Sequence, residues 1–176
     1  MKKISLALAF MAISYFGANA QAPDGFQAGG GIRLSLPVGD FSDISSFGIG
    51  GELQGELGFS EKFSGIFTTG YSSFLGKKVD ILGQSVKLDA TGYIPILAGV
   101  RVYPSANFFI GGQIGYGFLT GGGDSEGAFN YQPQVGYNAS NFQIALNYNG
   151  LSKDGSTISH IALTGIFKFG GGGEKK

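Results

Sequence analysis

Between residues 49 and 59 the chain alternates with period two. Ile49, Gly51, Leu53, Gly55, Leu57 and Phe59 share one parity, and Gly50, Glu52, Gln54, Glu56 and Gly58 share the other. Successive side chains of a strand point to opposite faces, so this segment predicts a strand with one apolar and one polar face. The same split recurs at 129–138, where Phe129, Tyr131, Pro133, Val135 and Tyr137 oppose Asn130, Gln132, Gln134, Gly136 and Asn138. At 142–148, Phe142, Ile144, Leu146 and Tyr148 oppose Gln143, Ala145 and Asn147. Segments 26–36, 64–75, 93–103, 108–120 and 157–169 alternate less tidily and bring the count to eight strands. No stretch after Gly25 sustains a 3.6-residue apolar period. An even number of strands lets an up-and-down sheet close on itself and abolish its edges, so the predicted fold is all-β, an eight-stranded antiparallel up-and-down β-barrel.

The connectors add direction to that barrel. Short ones, at 60–62, 104–107 and 138–141, alternate with longer ones at 38–47, 76–92, 121–127 and 151–156. Alternate connectors of an antiparallel barrel lie at opposite ends, so one rim carries tight turns and the other carries loops. That asymmetry marks barrels that span a membrane. Aromatics bracket every tight turn: Phe59 and Phe63, Tyr103 and Phe108, Tyr137 and Phe142. The free ends of the first and last strands add Phe26, Phe167 and Phe169. A ring of aromatics at one level is the girdle expected where a barrel meets the membrane–water interface. Aromatics are also good strand formers, but that preference alone would scatter them along the strands.

The first residues place the chain in a cell. Met1-Lys2-Lys3 is a basic start, 4–17 is apolar apart from Ser5 and Ser14, and Ala18-Asn19-Ala20 is a cleavage site. This reads as a secretory signal peptide at 1–20, because the apolar run falls short of the roughly 20 residues a spanning helix needs. No Cys follows to take a lipid anchor, so the exported domain is expected to run over 21–169. A flexible Gly-rich tail is expected at 170–176. The whole chain has 12 basic and 12 acidic residues and a pI near 6.6. Removing Lys2 and Lys3 leaves a nearly neutral protein with no basic face for nucleic acid. The absence of Cys among 176 residues excludes disulfide scaffolds, thiolate metal sites and Cys nucleophiles. The 33 glycines would suggest disorder but for the 16 Phe and 8 Tyr that accompany them. Many fall inside strands, such as Gly29, Gly30, Gly31, Gly111 and Gly112, where they relieve crowding at strongly bent positions of a small barrel.

With these features the chain resembles the small eight-stranded outer-membrane β-barrel family, the OmpA/OmpX-like and PorT-like barrels, from Phe26 to Phe169. The last strand, His160-Ile161-Ala162-Leu163-Thr164-Gly165-Ile166-Phe167-Lys168-Phe169, looks like the family's insertion signal, with aromatics two apart at its end. Two details depart from it: the glycine is expected one position earlier than Gly165, and the chain continues past Phe169. The resemblance implies a monomer in the bacterial outer membrane, inserted by the barrel-assembly machinery and surrounded by outer-membrane lipid. It carries no catalytic residue, cofactor or metal with it.

Eight strands enclose an interior that side chains just fill. With the apolar parity toward lipid, Arg33, Glu52, Glu56, Arg101, His160 and Lys168 fall inside, together with Gln and Asn from most strands. Counting from the aromatic ends puts Arg33, Glu52 and His160 at one level, and Glu56, Arg101 and Lys168 nearer the turns. Interior charges must be paired, so these residues predict a polar plug that fixes the barrel's shape. The adjacent Ser159 and His160 suggest a hydrolase pair, but neighbours in a strand face opposite ways and no orienting carboxylate is evident. Segment 121–126 is Gly-rich and acidic, but lacks the spacing of a P-loop or an EF-hand. Lys77, Lys78 and Lys87 read as a solvated loop. The leading function is a structural or surface-interaction barrel whose loops 38–47, 76–92, 121–127 and 151–156 are the contact surface. A soluble exported lipocalin-like barrel with an apolar ligand inside, and a membrane-embedded lipid-modifying enzyme, are the alternatives.

Overall fold

A computed structural model describes residues 22–23, 25–81, 84–121 and 124–169. The expected signal peptide at 1–20 and tail at 170–176 lie outside the described residues. The strands are β1 (Phe26–Val38), β2 (Ser45–Ser60), β3 (Phe63–Gly76), β4 (Lys78–Ile81), β5 (Gln84–Lys87), β6 (Thr91–Ser105), β7 (Phe108–Gly121), β8 (Asp124–Asn138), β9 (Phe142–Lys153) and β10 (Ser156–Phe169). One short helix, α1 (Phe41–Ile44), follows β1. Eight strands close into a barrel in the order β1-β10-β9-β8-β7-β6-β3-β2. Closure is an antiparallel ladder of β1 with β10, from Ala28 opposite Phe169 to Val38 opposite Ser159. Strands β4 and β5 form a separate hairpin within the connector between β3 and β6.

The tight turns lie where the alternation predicts them, at one end, here called the turn rim. The opposite loop rim is more regular than its composition suggests. Within 121–127, Gly121 pairs with Asp124, Thr120 with Ser125 and Leu119 with Glu126, so the ladder of β7 and β8 runs on almost to its tip. Within 151–156, Lys153 pairs with Ser156, leaving Asp154-Gly155 as a two-residue turn. Both turn residues have positive φ, 49° and 80°, as a hairpin turn matched to strand twist requires. Segment 38–47 shortens to Gly39–Ile44 around α1, and 76–92 contains the β4–β5 hairpin. Gly, Ser and Asp are poor strand formers, but here the neighbouring strand supplies the hydrogen bonds that hold them in register.

The two mouths are closed differently. At the turn rim Ala22 lies across the opening, its N–H donating to the Glu61 carbonyl at 2.6 Å, and packs with Tyr103, Phe109 and Ala145. At the loop rim Phe41 of α1 enters the barrel and joins Phe74, Tyr93, Ala128 and Leu151. Its ring meets Phe74 edge-on at 5.0 Å.

Candidate functional site

The barrel is polar inside and apolar outside. Arg33, Glu56, Arg101 and His160 are each 1% exposed, whereas Leu53 and Phe59 on the outer wall are 60% and 67% exposed. Burying charges costs heavily unless they are paired, and pairing is what the interior provides. Arg33 and Glu52 form a buried ion pair between adjacent strands, and Arg33 also donates to Gln132 Oε1 at 2.8 Å. Nearer the turn rim, Arg101 Nη1 donates to Glu56 Oε2 at 2.7 Å and to Gln143 Oε1 at 2.9 Å. Its other terminal nitrogen donates to Gln54 at 3.0 Å and Gln134 at 2.9 Å. Glu56 also accepts from Ser64 Oγ at 2.5 Å and from the Tyr103 hydroxyl. The Arg101 guanidinium sits 4.2 Å from the centre of the Phe109 ring. Side chains from four other strands, β2, β7, β8 and β9, thus converge on one arginine.

Three positions correct the sequence reading. Tyr103 was expected on the outer aromatic ring, but it is fully buried and points at Glu56. It shares parity with Arg101, two residues away, so alternation already assigned it to the lumen. His160 does not join Arg33 and Glu52. It lies opposite Pro37, four rungs from the Thr164 that faces Arg33. Its ring packs edge-on against Phe74 at 5.1 Å and Tyr93 at 5.2 Å. Lys168 does not reach Glu56. It is half-buried, and its Nζ donates to Asn138 Oδ1 at 2.8 Å.

The other aromatics singled out in the sequence, Phe26, Phe59, Phe63, Phe108, Tyr137, Phe142, Phe167 and Phe169, all lie exposed on the outer wall. A second level, which the sequence reading missed, contains Tyr71, Tyr116 and Phe129. Phe63 to Tyr71, Phe108 to Tyr116 and Phe129 to Tyr137 each span eight residues. At about 3.4 Å per residue and a tilt near 40°, that spacing is about 20 Å along the barrel axis, close to the apolar height of membrane barrels. The constant spacing along the strands was the signal available. Beyond Tyr116, β7 continues five residues to Gly121, so the loop rim stands clear of the apolar band.

No protein-family model and no curated protein matches the chain by sequence. Among solved structures, the chain is similar to Ail, the attachment invasion locus protein of Yersinia pestis, at a TM-score of 0.57 and 18% identity, over 83% of this chain and 99% of that one. The structure of Ail in a phospholipid bilayer nanodisc gives 0.57 and 16%, over 83% and 100%. Neisserial surface protein A gives 0.50 and 10%, over 84% and 98%. The fold is that of the small outer-membrane barrels.

An outer-membrane-type barrel inverts the polarity of a soluble one, and this inversion disposes of the lipocalin-like alternative. A carrier of apolar ligands needs an apolar cavity and a wet exterior. Here the mid-lumen holds Arg33, Glu52, Gln132, Gln113, Asn147 and Thr164, all buried. In this fold Ser159 and His160 do not pair: they face opposite sides of the wall, Ser159 toward the Tyr148 hydroxyl, which donates to its Oγ at 2.8 Å, and His160 toward Phe74 and Tyr93.

Proposed function

We propose that the protein is a bacterial outer-membrane barrel with a structural or surface-interaction role, exported through the signal at 1–20. The observation that carries this reading is the exposed apolar wall around a buried, ion-paired lumen. Water would penalise such a wall, and hydrocarbon solvates it. Arg33–Glu52 and Arg101–Glu56 act as the polar plug, with His160 and Lys168 at its two ends, so no open aqueous pore remains. The two outer aromatic levels, without Tyr103, anchor the barrel at the membrane boundaries. The loop rim, with α1, the β4–β5 hairpin and the Glu126–Lys153 ion pair at 3.3 Å, is the contact surface. The barrel acts as a monomer and is inserted by the barrel-assembly machinery, with the last strand as the signal that machinery reads. By its name Ail is an attachment and invasion protein, and one of its structures contains the heparin analogue sucrose octasulfate. A comparable surface role suits a chain whose strands project beyond the membrane at one rim only. A non-enzymatic role suits an imidazole that packs edge-on between the Phe74 and Tyr93 rings.

Because the chain has no Cys, single cysteines test this topology cleanly. A membrane-impermeant maleimide added to intact cells should label Asp154→Cys on the loop rim and spare Asn107→Cys on the turn rim. Both sites should react after lysis. Labelling of Asn107→Cys alone in intact cells, or recovery of the protein in the soluble fraction, would overturn the proposal.

A further inference from the structure

Two of the eight seams in the wall lose two rungs in mid-strand beside a proline, β3–β6 at Pro95 and β8–β9 at Pro133, and an apolar groove lies at the second. Strands β8 and β9 pair from Phe129–Ser152 to Tyr131–Gly150, and again from Gln134–Asn147 to Asn138–Gln143, in a single unbroken register. The two rungs between, Gln132 with Asn149 and Pro133 with Tyr148, are missing from the ladder. Pro133 explains the gap. It has no N–H to donate, and proline in a strand is otherwise confined to edges and bulges. Pro133 also lies four residues from both Phe129 and Tyr137, midway between the two aromatic levels.

The parted strands leave a groove of about 370 Å³ on the outer wall, lined by Pro133, Val135, Leu146, Tyr148 and Ile161, with the inward-facing Gln134 and Asn147 at its floor. Its accessible surface is almost entirely apolar, and it is continuous with the exposed apolar band on either side. Directly toward the loop rim lies a cluster of hydroxyls. The Tyr148 hydroxyl donates to Ser159 Oγ at 2.8 Å, and the Tyr131 ring is 6.2 Å from that of Tyr148. Tyr131 lies over Gly150, where even a Cβ would come within 2.1 Å of the ring. An apolar slot at mid-height with hydroxyls above it has the polarity profile of one lipid molecule.

We propose that the β8–β9 seam is a binding site for a single lipid of the surrounding bilayer. One acyl chain occupies the groove at Pro133 and Leu146, and the Tyr131 hydroxyl donates to the lipid's ester or phosphate oxygens. This rests on the membrane reading given above. The lipid does for the seam what a neighbouring strand does elsewhere, filling space against the open rungs.

The test uses the full-length protein in phosphatidylcholine nanodiscs that contain about one chain-spin-labelled phosphatidylcholine per barrel. Paramagnetic broadening of side-chain methyl signals is then read by NMR. The methyls of Val135, Leu146 and Ile161 should broaden several-fold more than those of Leu53 and Ile49 on the far wall, and the excess should saturate as label is added. Pro133→Val restores the missing N–H and lets the ladder close, and Leu146→Trp fills the groove; each should bring the two walls to equal broadening. Equal broadening in the parent protein means that lipid touches the barrel everywhere alike, and overturns the site while leaving the membrane reading intact. No broadening on either wall means that the barrel is not in the bilayer, and overturns both.

Discussion

Replacing Glu56 with alanine removes the carboxylate on which the turn-side half of the lumen is built. Glu56 is 1% exposed and accepts from Arg101, Ser64 and Tyr103. Its loss leaves a buried guanidinium without a counter-charge. Breaking a buried pair in this way costs about 3–5 kcal/mol. The amide oxygens of Gln54, Gln134 and Gln143 remain 2.9–3.0 Å from Arg101, and the Phe109 face stays beneath it. These contacts place Glu56→Ala at the low end, about 3 kcal/mol, or roughly a hundredfold in the folded-to-unfolded ratio. Glu56→Gln keeps the volume and one acceptor, and should lose about 1.5–2 kcal/mol. Removing both charges with Glu56→Leu and Arg101→Met should cost far less than the two single changes summed, because no orphan charge is left. Urea unfolding in detergent micelles, followed by far-UV circular dichroism and by the heat-dependent gel mobility of folded barrels, measures the parent protein and each of these variants. A Glu56→Ala midpoint equivalent to less than about 0.5 kcal/mol, the range of ordinary surface changes, would refute the account.

Other changes probe the remaining parts. Glu52→Ala strands Arg33 with Gln132 as its remaining acceptor, and should lower the thermal midpoint in the same assay; an unchanged midpoint would remove Glu52 from the plug. Tyr103→Phe deletes a hydroxyl that donates to Glu56, and should lose about 1–2 kcal/mol, whereas a lipid-facing ring would lose nothing. Neither ring nitrogen of His160 meets a protein hydrogen-bond partner among the described residues, so His160→Phe should leave stability equal or raised, and a clear loss would show that the imidazole is bonded. A Cβ on Gly31 would lie 1.8 Å from the Gly165 carbonyl oxygen, so Gly31→Ala should open the closing seam and cost at least about 1–3 kcal/mol by urea unfolding.

Alternation made the membrane-height part of each strand legible, because a barrel wall forces every second residue of β2, β8 and β9 into one of two opposed solvents. The same rule placed Arg33, Glu52, Glu56 and Arg101 inside before any contact was known. It was weakest where two signals competed. At Tyr103, closeness to a turn argued for the outer ring while parity with Arg101 argued for the lumen, and the side chain follows parity because its hydroxyl finds a carboxylate there. Counting along single strands put His160 beside Arg33. Tilt and stagger offset the real rungs, and those are properties of the closed sheet rather than of any one strand. Above the membrane both faces of a strand meet water, so the alternation fades and 121–127 reads as loop although Gly121 and 124–127 are paired in the ladder. The helical turn that drops Phe41 into the mouth is too short to leave a period at all.

Closure of the barrel also sets a schedule. Arg33 faces Thr164 across the β1–β10 seam, so the first strand made waits for the last before its second edge is covered. Contacts so distant in sequence form slowly, and until they form the growing sheet presents two bare edges that invite pairing with other chains. A chain that lacks β10 therefore yields an open sheet rather than a smaller barrel. Truncation within β10 is expected to be lost to aggregation or degradation instead of surviving as a weakened product.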